Sequence, residues 1–171
     1  MKQKLLVLSL FLFFGHVSVW AQSQEKSFSL LILNFAKNIQ WPQYSRDDSF
    51  TIGVYNYEPL LSELQKSSAH QRIGSRKIIL KEVRYPEEAT GCDLLFIPAF
   101  KSRSIPEVKK ITDHSTTLLV TNTFQNNTLG SNINIILKDG KLTYEIYQAS
   151  LEGKRLKTSA SVRNMGIIIN Q

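Results

Sequence analysis

SFSLLILNFAKNIQWP, residues 27–42, sets six apolar side chains three or one residue apart: Phe28, Leu31, Ile32, Phe35, Ala36 and Ile39. That spacing lays them on one stripe of a helix. Lys26, Asn34, Lys37, Asn38 and Gln40 take the opposite side, and Trp41-Pro42 is expected to stop the helix, since proline biases the preceding residue away from helical dihedrals. Nothing in the stretch is reactive. An amphipathic helix of this kind serves as a cover, so the fold turns on what it covers.

On the N-terminal side, residues 1–21 read as a secretory signal peptide. Lys2 and Lys4 give a basic start, Leu5 to Phe14 an apolar run, and Val19-Trp20-Ala21 a cleavage site. The apolar run is short for a bilayer of roughly 30 Å, so cleavage after Ala21 is favoured over a retained anchor. No integral membrane segment is expected afterwards. The remainder, residues 22–171, suits one domain with its own core.

On the C-terminal side the pattern alternates. Phe50–Tyr55, Lys77–Val83, Asp93–Ile97 and Thr117–Thr121 read as strands, and Glu58–Ser67, Pro86–Thr90 and Pro106–Thr112 as short helices or turns. DLLFI at 93–97 is nearly continuous in apolar residues, as in a strand buried on both faces. Such alternation implies crossover units and a mainly parallel sheet. The segment YSRDDS, residues 44–49, reads as a polar loop.

Further along, Asn132–Lys138 and Lys141–Tyr147 flank Asp139-Gly140, a signal for a type I′ hairpin. Counting outward from that turn pairs Leu137 with Leu142, Ile135 with Tyr144 and Ile133 with Ile146 on one apolar face. Ile136 then meets Thr143, and Asn134 lies across from Glu145, a structural polar pair. A one-residue slip would turn the apolar row outward, so the register is pinned. Helical turns follow from Gln148 and from about Ser159 to Met165, and Ile167–Ile169 can add an edge strand. The expected fold is therefore α/β: a single domain with a mixed, mostly parallel sheet flanked by helices and a C-terminal antiparallel hairpin.

The 171-residue chain has 21 basic and 14 acidic residues, a net charge of +7. The basic residues are scattered, with one modest cluster at Lys154, Arg155, Lys157 and Arg163, and aromatic residues are not interleaved with them as in a stacking platform. Nucleic-acid binding is thus not expected. The turn after the first strand, GVYNYEP, lacks phosphate-binding glycines. His70 and His114 sit in polar loops without metal-ligand spacing, and no GxSxG elbow marks a nucleophile. No catalytic residue, metal or cofactor is implied. Asp93 is expected to end a turn ahead of its strand. Cys92, the single cysteine, cannot form an internal disulfide and reads as a buried, inert thiol.

Four segments in order carry a family likeness: LILNFAKNIQWP at 31–42, GCDLLFI at 91–97, the hairpin with Gly130, INIIL, Asp139-Gly140 and YEI, and LKTSASVRNMG at 156–166. Together they resemble the YfiR family. The resemblance implies a periplasmic α/β protein without enzymatic activity, often a homodimer, that binds the periplasmic domain of an inner-membrane diguanylate cyclase and holds it inactive, lowering cyclic di-GMP. Sensor kinases or other membrane receptors are alternative partners. The family's best-known member carries disulfides; with Cys92 alone, disulfide-based sensing is not expected here unless Cys92 links two chains.

On the leading reading, exposed groups near the hairpin and C-terminal segment contact the partner: Tyr147, Leu151, Lys154 and Arg155. On a second reading the protein binds a small ligand where the strands end, near Asn56, Tyr57, Pro98 and Phe100. A third, a hydrolase, would need His70 or His114 beside a nucleophile.

Overall fold

The computed structural model describes residues 17–42, 48–124 and 129–170. In chain order the elements are α1 (Val17–Asn38), β1 (Ile39–Gln40), β2 (Ser49–Tyr55), α2 (Glu58–Ser68), β3 (Arg72–Ile73), β4 (Arg76–Val83), β5 (Leu94–Ile97), α3 (Ile105–Thr112), β6 (Leu118–Thr121), β7 (Ile133–Lys138), β8 (Lys141–Tyr147), α4 (Gln148–Gly153), β9 (Lys157–Thr158), α5 (Ala160–Met165) and β10 (Ile167–Ile169). Single 3-10 turns cover Pro86–Ala89 and Ala99–Ser104.

Eight strands form one sheet in the order β10-β8-β7-β6-β5-β2-β4-β3. The pairings are parallel except at β7–β8 and β3–β4. The sheet is thus mixed and mostly parallel, flanked by helices, with the antiparallel hairpin near the C-terminus. Asp139 (φ 51) and Gly140 (φ 72) both take the left-handed backbone that a type I′ turn demands. The hairpin register agrees with the count outward from that turn, from Leu137 opposite Leu142 to Ile133 opposite Ile146.

The strands separate two apolar layers because alternate side chains point to opposite faces. On one face Phe50, Ile52 and Val54 of β2, Leu94 and Phe96 of β5, and Ile133 and Ile135 of β7 meet α1, α2 and Val162 of α5. Phe28, Ile32, Phe35 and Ala36 supply the α1 stripe, and Leu33 is buried beside them. Phe28 packs against Phe96 with ring centroids 5.7 Å apart, and Phe35 meets Tyr144 edge-on at 4.8 Å. On the other face Leu95, Ile97 and Leu119 pack against Ile105 and Val108 of α3, with Cys92 among them. Here β2 needs Gly53: a Cβ at that position would lie 2.8 Å from Cys92 Sγ and 2.9 Å from Leu95 Cδ1.

Several boundaries differ from expectation. α1 starts upstream of Ser27 and ends at Asn38, before Trp41-Pro42, because Ile39 and Gln40 leave it to pair antiparallel with Thr158 and Lys157. Two-residue strands such as β1, β3 and β9 are too short to show a period. Most of the expected leader, and residues 44–47 of the expected polar loop, lie outside the described residues. Among the described residues, no helix is long and apolar enough to cross a membrane.

The amino ends of β2, β4 and β5 are tied by one carboxylate. Asp93 Oδ2 accepts from Thr51 N at 2.8 Å, and Oδ1 accepts from Arg76 Nη1 at 3.0 Å. The Arg76 guanidinium lies 4.7 Å above the Phe50 ring, where the π face favours a cation.

Candidate functional site at the carboxyl edge of the sheet

β7 pairs with β6 only through Ile133 and Asn134, opposite Val120 and Thr121. Residues 135–138 therefore run past the end of β6, and the hairpin tip projects beyond the carboxyl edge of the parallel strands. At that tip Leu137 is 72% and Leu142 39% exposed. Next along the same edge comes Phe124, after β6, at 92% exposure, then Phe100, after β5, at 64%. Four large apolar side chains thus stand at one edge in strand order. Exposed apolar groups clustered on one surface are the usual mark of a contact site.

This edge is held from beneath by buried polar groups. Asn134 sits at the centre. Its Oδ1 accepts from Thr121 Oγ1 at 2.8 Å and Thr123 N at 2.9 Å, and its Nδ2 donates to Phe124 O and Glu145 Oε2, both at 3.0 Å. Tyr147 OH donates to the same Glu145 oxygen at 2.9 Å. A buried carboxylate needs such donors to offset lost hydration. One amide side chain therefore fixes the chain leaving β6 and, through it, the backbone that carries Phe124.

The four residues expected to line a ligand pocket gather at this edge as well. Asn56 takes a left-handed backbone (φ 46) just after β2, with Nδ2 donating to Arg84 O at 2.8 Å. Pro98 is buried and starts the turn that presents Phe100. Tyr57 and Phe100 meet edge-on with centroids 5.4 Å apart. The Tyr57 hydroxyl donates to Glu25 Oε1, and burial, reinforced by that carboxylate, raises its pKa far above the ordinary tyrosine value. Glu25 is buried, and its Oε2 has no hydrogen-bond partner.

The segment expected to supply exposed contacts behaves differently. Tyr147, Leu151 and Lys154 are buried, and Arg155 alone is exposed. Tyr147 turns inward because it lies two residues after Glu145 and shares its face. Leu151 is the apolar anchor of α4 in the helix-covered core, and Lys154 Nζ donates to Thr112 O at 2.6 Å. The exposure expected of these three is corrected accordingly. The signal for the edge lay in Leu137 and Leu142, apolar residues one step from the turn, where the hairpin runs past β6.

His70 and His114 are exposed, and neither is hydrogen-bonded to a serine among the described residues. No group of three His, Cys, Asp or Glu there is placed to hold a metal ion. Cys92 is free and buried, and burial pushes its thiol up to about 11. A thiol so protonated is a poor nucleophile at neutral pH.

Comparison with curated proteins returns no match. A family model described as YfiR/HmsC-like matches residues 26–166, from within α1 to the end of α5, and the chain belongs to that family.

Proposed function

We propose that the protein is a non-enzymatic periplasmic regulator whose carboxyl edge binds the extracytoplasmic domain of a membrane signalling protein, a diguanylate cyclase or a sensor kinase. Family membership supports the class of function, and the exposed row Phe100, Phe124, Leu137 and Leu142 is the observation that carries the surface. Aromatic and large apolar anchors supply most of the energy of protein interfaces. Residues 1–21 act as the leader, cleaved near Ala21. Control operates as a population shift: the regulator binds the inactive conformation of its partner more tightly than the active one. Of the C-terminal segment, Tyr147 supports this surface from within, through Glu145 and Asn134, whereas Leu151, Lys154 and Arg155 lie toward the other end of the sheet.

The test is crosslinking and capture in the native envelope with Phe124→Asp and Leu137→Asp. Both variants are expected to melt within about 0.5 kcal/mol of the parent, as exposed substitutions do, and to capture the membrane partner at least about tenfold less efficiently. Undiminished capture by both would remove the carboxyl edge as the interface.

A second reading has its own observation. Tyr57, Phe100 and the unpartnered Glu25 Oε2 would suit a small ligand with an N–H donor and an apolar body. Such a ligand would raise the melting temperature of the pure protein without any partner.

A further inference from the structure

The opposite, amino end of the sheet carries a buried charge that the fold does not require. Lys154 closes α4 and is only 7% exposed. Its Nζ donates to Thr112 O, the carbonyl at the C-terminal end of α3. That carbonyl already accepts from Ser115 N at 3.0 Å and Ser115 Oγ at 2.8 Å. A carbonyl oxygen has two lone pairs, so the helix end is capped without the lysine.

Nor does Lys154 answer a carboxylate. Among the described residues no acidic oxygen lies within 4.0 Å of Nζ, and the nearby Asp113 is paired with Lys109 at 3.3 Å. Lysines are almost never this buried unless paired. An ammonium has three N–H donors, and Lys154 has spent one.

The spare donors belong to a residue that lines a cleft. A depression of about 300 Å³ lies between the end of α3 and the α4–β9 turn, bordered by Lys154, Arg155, Gly153, His114, Ser115 and Thr116, with Asp113 at one side. Arg155 takes a left-handed backbone (φ 58), which places an exposed guanidinium directly after the buried ammonium. Lys154, Arg155 and Lys109 outweigh Asp113 in charge.

We propose that this cleft binds a small oxyanion, the phosphate or carboxylate head of a metabolite, with Lys154 as the charge at its floor and Arg155 and His114 at its mouth. Such a site gives the regulator a small-molecule input at the end of the sheet opposite the proposed partner surface. The inference stands on the cleft alone and is independent of any partner.

Inorganic phosphate is the probe, followed by NMR of the purified protein against sodium chloride at matched ionic strength, with acetate as a second arm. Saturable shifts of the amides at 114–116 and 153–155, absent with chloride, are expected. Saturation by phosphate alone assigns a phosphate head; saturation by acetate as well extends the site to carboxylates. Lys154→Met is expected to weaken binding at least about tenfold, the loss of one charge-assisted hydrogen bond. Arg155→Gly keeps the left-handed turn and is expected to weaken binding severalfold with no loss of melting temperature.

Burial lowers the Lys154 ammonium to about 8, with Asp113 opposing that shift and Lys109 adding to it. His114 and Arg155 are the other titratable groups at the cleft. Binding should therefore fall as pH rises from about 8 to about 9.5, as the lysine loses its proton over a range where phosphate is already almost wholly dianionic. Shifts that follow ionic strength alone, or a Lys154→Met protein that titrates like the parent, overturn the proposal. Should that variant not fold, parent affinity that is flat with pH and undiminished in Arg155→Gly overturns it equally.

Discussion

The two ends of the parallel strands are built on opposite principles. At the amino end, polar and charged side chains tie strands to one another: Asp93 joins Arg76 and Thr51, and so β5 to β4 and β2. At the carboxyl end buried polar groups gather around Asn134 and Glu145, and above them four large apolar side chains stand exposed among charged residues such as Arg84, Lys138 and Lys141. Charge-assisted bonds used internally stabilise a fold but leave little to offer a protein partner. Exposed rings and aliphatic groups do the reverse. This contrast is why the carboxyl edge is the proposed recognition surface.

Substitutions at three positions test the contrast, in descending order of expected effect on stability. Asp93→Ala should be the most damaging, at about 2–4 kcal/mol in urea or thermal unfolding, because it takes the carboxylate from the largely buried Arg76 and the acceptor from the Thr51 amide together. Asp93→Asn, which can still accept from Thr51, should recover part of that loss. A near-neutral Asp93→Ala would show that the amino end is not held by this carboxylate. Asn134→Ala should follow, at about 1–3 kcal/mol. Its distinctive readout is faster amide exchange at Thr123 and Phe124, with the helix-covered core unchanged. Uniformly faster exchange would mean that Asn134 supports the whole fold rather than the edge. Phe100→Ala should be nearly silent, within about 0.5 kcal/mol. A larger cost would make Phe100 part of the core, through Tyr57, rather than part of a surface.

The same contrast separates what could be read from the sequence from what could not. Elements with a strong period were readable: the α1 stripe, the buried strand around Leu94–Ile97, and the hairpin, whose Asp139-Gly140 turn dictates every pair from Leu137–Leu142 to Ile133–Ile146. The Asn134–Glu145 juxtaposition came from the same count. Exposure was much harder to read. Burial of Tyr147 depends on the face it shares with Glu145, and burial of Lys154 on an α3 carbonyl far away in sequence. Amphipathic side chains such as Tyr and Lys satisfy either environment, so composition does not choose between them. The exposure of Leu137 and Phe124 likewise depends on how far β7 overshoots β6, a tertiary quantity with no local signature.

The short pairing of β1 with β9 bears on how the chain reaches this state. Ile39, at the end of the first helix, is matched by Thr158, near the end of the chain, and Val162 of α5 joins the same apolar layer as Phe35. Contacts between such distant segments carry a high loop-closure cost and slow folding. A chain emerging N-terminus first can cover Phe28 once Phe96 has arrived, but Phe35 must wait for Tyr144 and the Val162 segment. Apolar surface left exposed over such an interval is prone to aggregation. Deleting the final segment should therefore impair folding yield more than its small area suggests.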